Sequence, residues 1–227
     1  MPHRGGLGPG DVIDRGIARL GTRPVWLGVV TAYGIFAWVF LGSSAPFAVP
    51  AVAAACGQVP LDVRFTSSAA DVTAFLATCG TEGLAAYRAM ETVDLVYPLV
   101  SALALAATLA FTLRGAGHRL RRWLPLVPFI VAALDYLENA CAWLALAAFP
   151  TTSPTDSLLG VATAAKTVAF TGTVTLVVTV VAWRAGGWLR RRWVGHTRDV
   201  TGGASVGVAT SDASAEVATA GAVREAP

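Results

Sequence analysis

Charge is what this sequence has least of. Asp, Glu, Lys and Arg make up 14% of its 227 residues and apolar residues 55%, whereas a soluble domain carries about 25% charged residues. The deficit is concentrated in long uncharged runs, which excludes an ordinary water-soluble globular protein. Histidine is scarce too, with 3 in the chain, and none lies within those runs. No metal centre is expected there, and no other cofactor.

What is present is apolar sequence of membrane length. Four runs stand out, at 25–41, 92–113, 124–149 and 158–183. A bilayer core of about 30 Å takes roughly 20 helical residues to cross. The last three runs satisfy this, and the first does so if extended through 42–48. The expected fold class is all-α: an integral-membrane four-helix bundle with a lid-like external loop at 42–86.

Arginine sets the expected orientation. Arg4, Arg15, Arg19 and Arg23 precede the first run, Arg114, Arg119, Arg121 and Arg122 follow the second, and Arg184, Arg190, Arg191, Arg192 and Arg198 follow the fourth. The other connections are poor in positive charge, so the positive-inside rule places both termini in the cytoplasm of a multi-pass protein of the cell membrane, a bacterial inner membrane. The net charge of +3 then reports topology. Nucleic acid is not an expected partner, because no aromatic residues interleave a soluble basic face. The expected organisation is a cytoplasmic arm at 1–23, a transmembrane domain at 24–184 and a basic, then disordered tail at 185–227.

Several local readings follow. The arm carries a short amphipathic piece around 12–20. The small residues at 51–56 resemble a cleavage site, but the long basic region before the first run favours a retained helix. The prolines of 43–60 predict an extended segment. Ser68 followed by Asp71 marks a helix start, Gly80 a stop, and Thr81 a new helix running straight into the second span. Of the 3 cysteines, Cys56 and Cys79 fall in the external loop, where either a disulfide or two free thiols is possible. Cys141 is expected to pack as a small apolar residue. With no CxxC pair, a quinone-linked thiol oxidoreductase of the vitamin K epoxide reductase type is disfavoured.

Against this apolar background the acids are conspicuous. Tyr87, Glu91, Asp94 and Pro98 recur at intervals that share one helical face, as do Asp135, Glu138 and Asn139. Lys166 enters the fourth span from the same side, about 12 Å deep at the helical rise. Charged groups at membrane depth cost about 2.5–3.5 kcal/mol each on insertion scales. Three helices carrying them to similar depth are therefore expected to turn them toward one another. Lys166 is the natural counter-ion for Asp94, Asp135 or Glu138, and Asn139 can donate to a carboxylate. The carboxyls outnumber the lysine, so at least one is expected to carry its proton. Arg64 could add a second cation if the loop folds inward. Glu91, nearer the interface, is expected to be solvated, Tyr87 and Tyr97 could belong to an aromatic belt, and Trp143 could offer its π-face to a carbocation.

The segments PLDVRF (60–65), YRAMETVDLVYP (87–98) and DYLEN (135–139), with their Y-x6-D-x2-YP and D-x2-EN patterns, resemble a group of small bacterial four-helix integral membrane proteins. The resemblance brings no activity, but it implies that Asp62 and Arg64 belong with the intramembrane acids. In site chemistry alone, buried acids placed to protonate an isoprenoid, the chain resembles membrane-integral terpene cyclases.

The expected function is a small integral-membrane enzyme. Asp94, Asp135 and Glu138 would be its catalytic carboxyls, acting on a hydrophobic, isoprenoid- or sterol-like substrate dissolved in the lipid bilayer, by protonation-initiated cyclisation or isomerisation. Glu138 or Asp135 would be the acid and Asp94 the base or cation stabiliser, with Asn139, Lys166, Glu91, Tyr87, Arg64 and Trp143 in support. The alternatives are an accessory or structural membrane protein, and a proton- or cation-coupled carrier, which with four helices would need to form a homo-oligomer.

Overall fold

Helix α1 (Pro9–Leu20) is the amphipathic piece of the arm, and α2 (Arg23–Gly42) the first long apolar helix. The computed structural model describes residues 8–219, with side chains described as far as residue 190. Four segments in it are long and apolar enough to cross a membrane: Arg23–Gly42, Ala69–Thr112, His118–Ala148 and Asp156–Arg190. The chain divides into two units, Met1–Val181 and Ala182–Pro227; the candidate site lies within the first.

The loop after α2 departs from the expected extended form. Val49–Cys56 is helix α3. Its proline, Pro50, falls in the first turn, where a missing N–H costs nothing, and the alanines that follow favour helix. Gly57, at φ 68°, ends it in the left-handed conformation. A 3-10 turn, Leu61–Val63, then leads into a lid segment and α4 (Ala69–Asp94). The helix start at Ser68 is as expected: its hydroxyl accepts from Asp71 N at 3.2 Å, while Asp71 Oδ2 accepts from Ser68 N at 2.8 Å. Gly80, at φ 61° and ψ −172°, breaks α4 where a stop was expected.

Cys56 and Cys79 form a disulfide that ties α3 to α4. It rests on Gly83, where a Cβ would stand 3.0 Å from Cys56 Sγ. Val52, Leu61, Phe75, Tyr87 and Met90 pack in one buried cluster with it.

As expected, α4 runs on into the second span, the two forming one segment, Ala69–Thr112. The chain jogs at Leu95 and Val96 before α5 (Tyr97–Thr112), which has Pro98 in its first turn. Helix α5 runs between α2 and α7 (Val127–Ala148). Its buried Ala102, Ala104, Ala106, Ala107 and Ala110 let the neighbouring backbones approach closely. Short α6 (His118–Trp123) and a 3-10 turn, Leu124–Leu126, lead into α7.

Helix α8 (Asp156–Thr219) packs Val177 and Val180 against Leu109 and Leu113. Its backbone is helical over 199–219, where composition predicted an unstructured tail, and no proline interrupts it before Pro227. Residues 220–227 of that tail lie outside the described residues.

Outward-facing apolar side chains, among them Ile35, Trp38, Ile130, Leu144, Val161, Val168 and Val178, remain exposed around the first unit. Such a band suits hydrocarbon surroundings rather than water. The lid is seated on α8 at Gly160. Thr66 Oγ1 donates to the Gly160 carbonyl at 3.1 Å, and a Cβ on Gly160 would collide with the Ser67 backbone.

Candidate functional site

On α7, Asp135, Glu138 and Asn139 share one face and are all buried. Lys166 of α8 stands opposite them and is the only lysine in the chain. Its ammonium lies 3.4 Å from Asp135 Oδ1, pairs directly with Glu138 Oε2, and donates to the Asp62 carbonyl at 3.3 Å. The ammonium thus faces two carboxylates of α7 and a carbonyl of the turn before the lid. One turn earlier on α8, Thr163 Oγ1 lies 2.5 Å from Glu138 Oε1. Both Glu138 oxygens are therefore engaged, and the side chain is wholly enclosed.

The last turns of α4 supply Tyr87, Glu91 and Asp94, all buried. Pro98 has no N–H to give the Asp94 carbonyl four residues back, so the break leaves that carbonyl without its helical partner. Helix α7 supplies a replacement: Asn139 Nδ2 donates to Asp94 O at 3.4 Å, and the Tyr136 hydroxyl donates to Leu95 O at 3.0 Å. Irregular backbone at membrane depth survives where a neighbouring helix satisfies it in this way. Asn139 was expected to serve a carboxylate, and its amide meets both the side chain and the main-chain carbonyl of Asp94.

Of these groups, Asp62, Asp94, Asp135 and Lys166 border one cavity of about 430 Å³, within the range of sites that hold small ligands. Phe40, Val49, Val63, Phe65, Met90 and Phe170 make its wall apolar, and the polar groups reaching it are Asp62, Arg64, Asp94, Tyr97, Asp135, Lys166 and Thr167. Tyr97 is braced from α2: its hydroxyl is 3.2 Å from that of Tyr33, and its ring packs 5.5 Å from Phe40.

The structure brings Asp94, Asp135 and Lys166 together at the cavity, as their spacing led one to expect. Other residues sit differently. Glu138 lies behind Lys166 and is not part of the lining. Glu91 is fully buried, not solvated, because α3, the disulfide and the lid cover the end of the bundle that the sequence left open. Tyr87 is likewise core rather than aromatic belt. Its ring packs edge-on to Phe75 at 5.0 Å, and its hydroxyl donates to Asp62 Oδ1 at 3.4 Å. Arg64 reaches the cavity, but its guanidinium donates to Val59 O at 2.7 and 3.0 Å and to Gln58 Oε1 at 3.0 Å. Among the described residues it pairs with no intramembrane acid. Trp143 is half-buried and outside the lining.

Sequence reasoning missed Thr163, although it stands three residues before Lys166 and so shares its face. It also missed the wall residues, which carry no polar signal. Carboxyl groups outnumber cations around the cavity. Asp62 Oδ2 and both Glu91 oxygens are buried without a hydrogen-bond partner, and among the described residues Asp94 has no cation within ion-pair distance. No protein-family model, curated protein or solved structure matches this chain.

Proposed function

We propose that the chain is an intramembrane enzyme that uses Asp94 and Asp135 for acid–base chemistry on an alkene-containing, isoprenoid-like lipid. The observation that supports this reading is their placement. Two carboxyls from different helices enter one apolar cavity of about 430 Å³ with contrasting partners, Asp135 beside Lys166 and Asp94 without a cation.

The contrast assigns the roles. Asp135, held by the ammonium, serves as the carboxylate base, and Asp94 serves as the neutral acid. Asp94 gives its proton to one alkene carbon. The π pair forms the new C–H bond and leaves a cation on the adjacent carbon. Asp135 then takes a proton from a neighbouring carbon, whose C–H pair becomes the new double bond. The reaction is an isomerisation, or a cyclisation when a second alkene attacks the cation first. It needs no oxidant or reductant, and the enzyme resets when Asp135 releases its proton to water and Asp94 takes another from water. Positioned acid–base groups of this kind contribute about 10²–10⁴-fold in rate. Glu138 and Thr163 act through Lys166, holding it against Asp135.

In this reading the protein is a multi-pass protein of the cell membrane with both termini cytoplasmic. The arginine distribution supports that orientation, and so does the Cys56–Cys79 disulfide, because an oxidising compartment lies outside. The cavity then sits under the lid in the outer half of the membrane. The test is untargeted lipidomics of cells expressing the parent, Asp94→Asn or Asp135→Asn at matched levels, beside cells lacking the protein. A lipid pair of equal mass should shift with the parent alone. An identical profile in all four contradicts an enzyme.

A further inference from the structure

The basic end of the first unit holds a second, smaller cavity that the carboxyl site does not use. It encloses about 170 Å³ and is bordered by α1, the last turns of α5, and α6. Gly21 and Ala110 contribute to it. A Cβ on Gly21 would stand 3.0 Å from the Ala110 carbonyl oxygen, so the close crossing of α1 over α5 depends on glycine there. Around the cavity stand Arg114, His118, Arg121 and Arg122, and Asp14 is the single carboxylate in its lining.

The arginines are placed rather than merely numerous. Trp26 stacks on Phe111 at 4.6 Å, and the Arg114 guanidinium covers the Phe111 ring at 4.9 Å. Trp26 is itself fixed by its hydrogen bond to Thr108 at 3.2 Å. Arg122 lies over Trp123 at 5.6 Å. Asp14 Oδ2 is 3.8 Å from Arg122 Nη1 and 3.9 Å from His118 Nε2. Those separations exceed hydrogen-bond length, so Asp14 stands beside both side chains without occupying their donors. Arg121 has no carboxylate within ion-pair distance among the described residues. Orientation of the protein in a membrane would require only that arginines be present at this end. Guanidinium forks held around a concavity and not taken up by protein hydrogen bonds are what a phosphate needs.

The surroundings indicate where the phosphate comes from. Val12 and Ile13 on α1, and Leu120 and Trp123 on α6, are exposed apolar side chains beside this basic rim. That combination marks a membrane–water boundary, where an amphipathic helix rests on the headgroups. We infer that the cavity between α1, α5 and α6 binds the phosphomonoester headgroup of an anionic membrane lipid.

The experiment uses the purified full-length protein in a neutral detergent. Binding of short-chain phosphatidic acid, short-chain phosphatidylcholine and inorganic phosphate is followed by tryptophan fluorescence. Phosphatidic acid should bind more tightly than phosphatidylcholine. The double variant Arg114→Gln/Arg121→Gln should weaken phosphatidic acid binding on the order of tenfold or more, given what each arginine contributes near an anionic surface. Arg114→Lys/Arg121→Lys should recover part of it, and Arg15→Gln/Arg19→Gln, which alters basic residues outside the cavity, should leave it unchanged. Equal binding by the glutamine double variant and the parent, both monodisperse and with the same melting temperature, overturns the site. Inorganic phosphate binding as tightly as phosphatidic acid overturns the lipid assignment.

Discussion

Asn139 on α7 donates its amide to the Asp94 carbonyl, the group that Pro98 deprives of its helical partner. One side chain thus joins the third span to the break in the second, at the residue that presents a carboxyl to the cavity. Asn139→Leu would leave a buried carbonyl unsatisfied, at a cost of about 1–3 kcal/mol. Unfolding in detergent should show that loss, while Tyr136→Phe, at the more exposed neighbouring carbonyl, should cost less.

Lys166 offers a sharper energetic test. Breaking a buried ion pair by removing one partner costs about 3–5 kcal/mol, because a buried charge is left alone. Lys166→Met should therefore destabilise the protein severely. Adding Glu138→Gln should restore much of the loss, since the neutral amide no longer needs the ammonium. Restoration would separate the structural role of Glu138 from the catalytic roles given to Asp94 and Asp135.

Much of this arrangement was legible in the sequence, and the exceptions have physical causes. Periodicity and charge scarcity are local, so the apolar helices and the shared faces of Asp135, Glu138 and Asn139 could be read directly. Ser68, Asp71 and Gly80 behaved as punctuation for the same reason. Glu91 could not be placed, because its burial depends on α3 and the lid closing over it from distant sequence. Arg64 does reach the cavity, as its place in the loop suggests, but the carbonyl of Val59 and the side chain of Gln58 take up its donors, which sequence alone does not show. Pro98 was visible, but its effect on Asp94 depends on a hydrogen-bond donor on another helix.

The disulfide gives a third prediction. Closing a loop of 23 residues of separation stabilises by about 3 kcal/mol in the chain-entropy account. Reduction should lower the unfolding temperature, and Cys56→Ser or Cys79→Ser should reproduce the effect. Under denaturing conditions a thiol reagent should label Cys141 alone before reduction, and all three cysteines after it.

Gly160 tests the lid. Because a side chain there would collide with the Ser67 backbone, Gly160→Val should lift the segment that carries Val63 and Phe65 off α8. In a background lacking Cys141, a Met90→Cys reporter on the cavity wall should react slowly with a membrane-permeant thiol reagent. The rate should rise in the Gly160→Val variant. An unchanged rate would show that the lid closes the cavity without that seat.

The central claim is that Asp94 delivers a proton to carbon inside the cavity. The direct measurement is incubation of purified protein with a lipid extract in D2O, followed by mass spectrometry of the product lipids. The parent should give a product with one carbon-bound hydrogen replaced by deuterium relative to the same product formed in H2O, with Asp94→Asn and Asp135→Asn giving none. A product formed without deuterium, or formed equally by Asp94→Asn, would contradict the account.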